Sequence, residues 1–73
     1  MTHIPVLSSR VVIKTLIKAG YVVVRQKGSH IRLHRTQRKP VTVPNHSSIG
    51  KGLLKKILRD SEISLLDFKK LLK

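Results

Sequence analysis

The sequence contains no cysteine and no tryptophan, and Tyr21 and Phe68 are its two aromatic residues. Without cysteine the chain can form neither a disulfide framework nor a cysteine-based zinc finger, and it is compatible with a reducing compartment. Two aromatic side chains are a poor basis for the stacking platforms that bind single-stranded nucleic acid. No apolar run approaches the roughly 18 residues of a membrane span, and the first residues do not resemble a secretory signal. We therefore expect a cytoplasmic protein.

Acidic residues are also scarce. Asp60, Glu62 and Asp67 oppose sixteen lysines and arginines, residues 1–59 contain no acid, and the formal net charge is +13. Charge of one sign repels itself, whereas a polyanionic partner gains affinity from it through counterion release. The charge therefore favours nucleic acid as the partner. A membrane surface is the main competitor, but a membrane-active peptide is usually one amphipathic helix, and strand and turn signals interrupt this chain.

The length and the apolar content predict one small folded domain over residues 1–73. The chain is 40% hydrophobic, which is enough for one modest core. A single domain of this size leaves no room for a deep enclosed cleft. Any chemistry is therefore expected on the surface.

Three helices are predicted from apolar periodicity. Ser8 or Ser9 can cap the first helix, and Gly20 ends it. The spacing of its apolar residues predicts one buried face, made of Val12, Ile13, Leu16 and Ile17. A second helix is predicted over residues 51–60 and a third over about 64–72, each with an apolar stripe on one side. Phe68 belongs to the stripe of the third helix.

Three strands are predicted between the first and second helices, over residues 21–26, 30–35 and 40–44. β-Branched residues and strict alternation indicate the strands, and Gly28 suits a turn position with positive φ. The result is an α+β domain in which a three-stranded antiparallel sheet carries helices on one face and leaves the other open. The order α-β-β-β-α is also that of a double-stranded RNA-binding domain.

Alternation along the second strand assigns its two faces. If Ile31 and Leu33 point to the core, then His30, Arg32 and His34 point away from it. The open face should therefore present histidine and arginine side chains.

The same rule applied to the first strand gives a less secure assignment, because three valines follow one another. It places Val22 and Val24 toward the helices and leaves Tyr21, Val23 and Arg25 on the open side. On this assignment the open face carries little apolar surface.

Three segments of the sequence carry a resemblance to a known family: "LIKAGYVVVRQKGSHIRLHR", "VTVPNHSSIGKGLLKKIL" and "SLLDFKKLL". Together they resemble the HicA toxins, mRNA interferases of toxin–antitoxin pairs. The resemblance runs from about Ser9 to Leu72, and its most specific pieces are "GSH", "VPNH" and "KGLLKKIL". It implies a fold related to the double-stranded RNA-binding domain, a catalytic histidine at His30, and a HicB-type antitoxin that covers the RNA-cleaving surface.

The chemistry of RNA is compatible with His30 as a catalyst. RNA can be cleaved without metal, because its own 2′-hydroxyl attacks the adjacent phosphate, and imidazole can accept or donate the protons involved near neutral pH. From spacing alone His30 is better described as a solvated strand residue than as a catalyst, and the resemblance alone reverses this preference. We predict no metal site and no cofactor. The predicted RNA-binding residues are Arg25, Lys27, Gly28, Ser29, Arg32, His34, Lys51 and Lys55.

Two other functions are consistent with the sequence. The first is a non-catalytic basic domain that binds double-stranded RNA or the ribosome. The second is a basic protein whose only partner is an acidic protein. Loss of His30 would leave the first unaffected, and the second would show no affinity for RNA even at low salt.

Overall fold

A computed structural model describes residues 6–72 of the chain. The order of elements confirms the predicted α+β class, and it is consistent with a fold like that of the double-stranded RNA-binding domain. No helix in this part of the chain is long and apolar enough to cross a membrane. The elements are α1 (Ser9–Lys18), β1 (Val22–Lys27), β2 (His30–His34), β3 (Val41–Pro44), α2 (Lys51–Ser61) and α3 (Leu65–Leu72).

The three strands form one antiparallel sheet in the order β1-β2-β3, so β1 and β3 are its edges. Helix α1 packs against β1 and β3, α2 packs against β3, and α3 packs against α1. Pro44 ends the edge strand β3, a position at which the missing N–H of proline is tolerated. The helices cover one face of the sheet, as predicted.

Helix α1 has a defined beginning and end. The Ser8 hydroxyl accepts a hydrogen bond from the backbone N–H of Val11 at 3.3 Å, which makes Ser8 the N-cap. After the helix, Gly20 adopts a φ of 104°, and the N–H of Tyr21 donates to the carbonyl of Leu16 at 3.0 Å. The predicted stop at Gly20 is confirmed, because that conformation strongly favours glycine.

The buried face of α1 differs from the prediction at one position. Val12 and Leu16 are fully buried and Ile13 is half-buried, but Ile17 is largely exposed. Thr15 takes the place assigned to Ile17, and its hydroxyl donates to the helix carbonyl four residues earlier at 2.8 Å. A local hydrogen bond to the helix backbone removes most of the cost of burying that hydroxyl.

The core lies between the helices and the inner face of β2 and β3. Phe68 is fully buried, as its place in an apolar stripe predicts. The alternation predicted for β2 is confirmed, since its burial pattern is strictly exposed, buried, exposed. The buried apolar residues are Val12, Leu16, Tyr21, Ile31, Leu33, Val41, Val43, Ile49, Leu54, Ile57, Leu58 and Phe68.

The predicted burial of β1 is wrong. Val22, Val23 and Val24 are 61%, 42% and 53% exposed, so neither Val22 nor Val24 is covered by the helices. One reason is that β1 is an edge strand with little helix over it. Val22, opposite His34, lies on the open face, and this end of the sheet is therefore more apolar than predicted.

Tyr21 is buried, with 1% of its surface exposed, and does not lie on the open side as predicted. The cause is an irregularity in the β1–β2 register: Val23 pairs with Leu33 and Arg25 with Arg32, which leaves Val24 as an extra residue. A bulge of this kind reverses the alternation on one side of it. Arg25 therefore faces outward as predicted, whereas Tyr21, on the far side of the bulge, faces the core.

Candidate nucleic-acid interface

Four basic side chains lie together on the open face of the sheet. Lys27 pairs directly with His30 across the β1–β2 ladder, and Arg25 pairs with Arg32 two positions further along. All four are exposed. Together with Thr42 of β3 they line a shallow depression of about 280 Å³. The structure thus brings together four of the predicted site residues, and His30 is among them.

The turn that precedes His30 is defined by the backbone conformation of a glycine and by a hydrogen bond to the loop that follows β3. Gly28 adopts a φ of 58°, and a Cβ added there would meet no atom within 4 Å, so the backbone conformation and not crowding accounts for the glycine. The carbonyl of Ser29 accepts a hydrogen bond from the backbone N–H of Asn45 at 2.6 Å. This bond joins the "VPNH" loop to the "GSH" turn and fixes the position at which β2 begins.

The charges in the depression are not compensated by nearby acids. No carboxylate of the described residues lines it. Within residues 6–72, Glu62 pairs with Arg38 at 3.1 Å and Asp60 contacts Arg59 at 3.8 Å, and neither arginine belongs to the depression. Like charges placed directly opposite each other across a sheet destabilise it. The pair of Arg25 and Arg32 is therefore an arrangement that an anion would relieve.

His30 is open to solvent, and its imidazole makes no hydrogen bond within the described part of the chain. Among residues 6–72, no second histidine lines the depression. The structure thus offers an accessible imidazole beside three cations, and it supplies no side chain that orients the ring before a substrate arrives.

Thr42 is a site residue that the sequence-based candidates omit. One guanidinium nitrogen of Arg32 donates to the Thr42 hydroxyl at 3.4 Å, and the two residues are cross-strand partners. The hydroxyl holds Arg32 over the depression. The alternation of β3 places Thr42 outward, and this signal could have identified it.

The remaining candidates lie elsewhere. His34 lines a neighbouring depression at the other end of β2, together with Arg35. Lys51 and Lys55 are exposed on α2 and line neither depression. Three histidine, aspartate or glutamate side chains grouped closely enough to hold a metal ion are found nowhere in residues 6–72.

The fold and this surface together define a small α+β protein, like a double-stranded RNA-binding domain, whose open sheet face carries a histidine among cations. The model of the family described as "HicA toxin of bacterial toxin-antitoxin" matches residues 9–63, which include α1, the whole sheet and α2. The chain belongs to the HicA toxin family, and it is a toxin of a toxin–antitoxin system. No curated protein matches the chain by sequence.

Proposed function

We propose that the protein is a metal-independent endoribonuclease that cleaves mRNA, with His30 as a general acid or base. The observation that carries this proposal is the position of His30, whose exposed imidazole shares a depression with Arg25, Lys27 and Arg32. A phosphate seated among these cations would lie within reach of the imidazole. Membership of the HicA family supports the same assignment.

The proposed reaction uses the nucleophile of the RNA itself. The 2′-hydroxyl oxygen forms a bond to the adjacent phosphorus while the bond from phosphorus to the 5′-oxygen of the next nucleotide breaks. One proton leaves the 2′-hydroxyl and another reaches the departing 5′-oxygen. His30 transfers one of these two protons, since imidazole can act in either direction near neutral pH.

The neighbouring cations have a separate role in this proposal. Arg25, Lys27 and Arg32 stabilise the charge that grows on the non-bridging phosphate oxygens as the fifth bond to phosphorus forms. They also supply the binding energy that depends on salt. Other proposed RNA contacts are made by Gly28 and Ser29 at the turn, by His34, and by Lys51 and Lys55 on α2.

The antitoxin partner is proposed to be a HicB-type protein that covers the same face. An acidic surface would neutralise the uncompensated pair of Arg25 and Arg32 and would exclude RNA from His30 by occupation. A structure of the complex that left the depression accessible to an RNA strand would contradict this proposal.

The central test compares His30→Ala with His46→Ala. His46 is an exposed loop histidine outside the depression, and its hydrogen bonds in the structure are made by backbone atoms, so it is a matched control. We expect His30→Ala to lower the cleavage rate by about 10²- to 10⁴-fold, the usual contribution of one general acid or base. The dissociation constant for RNA should change little, because the cations remain. His46→Ala should cleave normally.

Two substrate and solution controls separate the alternatives. An RNA with 2′-deoxyribose at the scissile nucleotide should bind without being cut, and EDTA should not inhibit cleavage of ordinary RNA. Cutting of the deoxy substrate, or a need for added metal, would reject the mechanism while leaving a ribonuclease. Absence of cleavage by the wild-type protein together with retained RNA binding would favour a non-catalytic RNA-binding domain.

A further inference from the structure

A second depression of about 310 Å³ lies at the other end of β2, and it is lined by Gly20, Val22, His34, Arg35 and Thr36. It opens on the same face of the sheet as the depression at His30. His30 and His34 lie four positions apart on β2, so their side chains point to the same side. Val22, the cross-strand partner of His34, borders this second depression.

Arg35 is held in place by the glycine that ends α1. A Cβ added at Gly20 would lie 3.1 Å from Nε and 3.5 Å from Cζ of Arg35, so the guanidinium lies directly against the bare backbone. Arg35 is also only partly exposed, unlike most of the basic residues. A side chain held in this way loses less conformational entropy on binding a ligand than a free surface arginine does.

Within residues 6–72, the guanidinium of Arg35 is not taken up by an ion pair. Arg35 also lines a separate hollow that contains Arg38, Glu62 and Asp67. Arg38 forms the ion pair with Glu62, and Arg35 itself has no ion pair in the described part of the chain. The guanidinium fork matches the oxygens of a phosphate, and His34 adds a second nitrogen donor or acceptor beside it.

We propose that the depression at Gly20, His34 and Arg35 is a second phosphate subsite, which holds the RNA backbone at a distance from the cleaved bond. This inference rests on the proposed RNA-cleaving function. Four residues of β2 span about 13 Å at roughly 3.3 Å per residue. The two depressions would therefore hold phosphates of different nucleotides of one strand.

The test uses RNA oligonucleotides of increasing length that carry 2′-deoxyribose at the scissile position, so that binding is measured without cleavage. One series is extended on the 5′ side and the other on the 3′ side. The wild-type protein should show a step in affinity of about tenfold when one series becomes long enough to reach Arg35, the gain expected from one charge-assisted contact.

Arg35→Gln should abolish this step while leaving the affinity for the shortest oligonucleotides unchanged. The matched control is Arg59→Gln, which removes an equal charge from the exposed arginine of α2 that contacts Asp60. His34→Ala provides a second variant, at an exposed position of β2. It should reduce the step without affecting the fold.

Two results would overturn the subsite. A smooth rise of wild-type affinity with length, without a step on either side, would show that no second position is engaged. Equal losses for Arg35→Gln and Arg59→Gln would show that Arg35 acts only as diffuse charge. Absence of any RNA binding by the wild-type protein would instead reject the RNA-binding function, and the subsite with it.

Discussion

Replacement of Tyr21 by phenylalanine tests the burial of this residue, which the bulge in β1 explains. The Tyr21 hydroxyl donates to the backbone carbonyl of Ser61 at 3.3 Å, and both residues are almost completely buried. A neutral hydrogen bond contributes about 1 kcal/mol to stability, and a buried carbonyl left without its donor adds a penalty of similar size. We therefore expect Tyr21→Phe to lower the free energy of unfolding by about 1–2 kcal/mol at neutral pH.

The pH dependence gives a sharper test. Burial raises the pKa of Tyr21 above its ordinary value, against the opposing effect of Arg35 and Arg38. Because the pKa is higher in the folded state, the stability linked to the neutral phenol is complete below about pH 10 and is lost as pH rises toward the folded value. The loss cannot exceed about 1.4 kcal/mol per pH unit. The advantage of the wild-type protein over Tyr21→Phe should therefore shrink in alkali.

Urea unfolding followed by circular dichroism over a range of alkaline pH measures this difference. Lysine titration is common to both proteins and cancels in the comparison. Tyr21 is the single tyrosine of a chain without tryptophan, so ultraviolet absorbance of tyrosinate reports its ionisation directly. A folded protein whose tyrosine titrates at the pKa of an exposed phenol would refute both the burial and the bulge that explains it.

Three other results are expected. RNA affinity should fall steeply with salt, with a slope of roughly 0.7–0.9 in log affinity per phosphate neutralised; a flat titration would contradict phosphate binding. Gly28→Ala should lower the free energy of unfolding by about 1 kcal/mol, because Gly28 has a positive φ that alanine disfavours. Gly52→Ala in α2 should leave the free energy of unfolding unchanged or raise it. Thermal unfolding measures both variants. Arg32→Gln should raise the free energy of unfolding of the free protein by up to about 1 kcal/mol, because it removes the repulsion from Arg25. The same change should weaken RNA binding. Chemical unfolding measures the stability, and a destabilised variant would contradict the repulsion.

Much of the fold could be predicted from the sequence because local signals and tertiary packing agree. The alternation of β2 is strict, and the structure follows it residue by residue. The serine cap and the glycine stop of α1 are equally local signals, and both hold. In such segments hydrophobic burial and backbone preference favour the same conformation.

The errors within β1 have a common physical origin. A run of valines fits either face of a sheet, so the sequence contains no alternation from which a bulge at Val24 could be detected. The exposure of Val23, which pairs with the buried Leu33, also depends on how far the helices reach over an edge strand, which is a tertiary property. Tyr21 was misplaced for the same reason, since its direction depends on the bulge that follows it.

The candidate site was predictable in part. Alternation placed His30 and Arg32 on the open face, but it could not show that Arg25 and Lys27 would stand opposite them, because pairing depends on register. The second depression was missed because it requires a contact between Gly20 and Arg35, which belong to separate elements. Such a contact leaves no periodic signal in the sequence.

The distribution of acids connects the charge of the chain to its stability. Glu62 and Asp60 follow one another closely at the end of α2, where they pair with Arg38 and Arg59, and no carboxylate of residues 6–72 lines the depression at His30. The repulsion between Arg25 and Arg32 in that depression is therefore not relieved by an acid. An anion that binds the folded state alone stabilises it, by about 2.7 kcal/mol at a hundredfold excess over the dissociation constant. Under the proposed function, RNA or an acidic antitoxin bound to this face would therefore raise the free energy of unfolding of the protein.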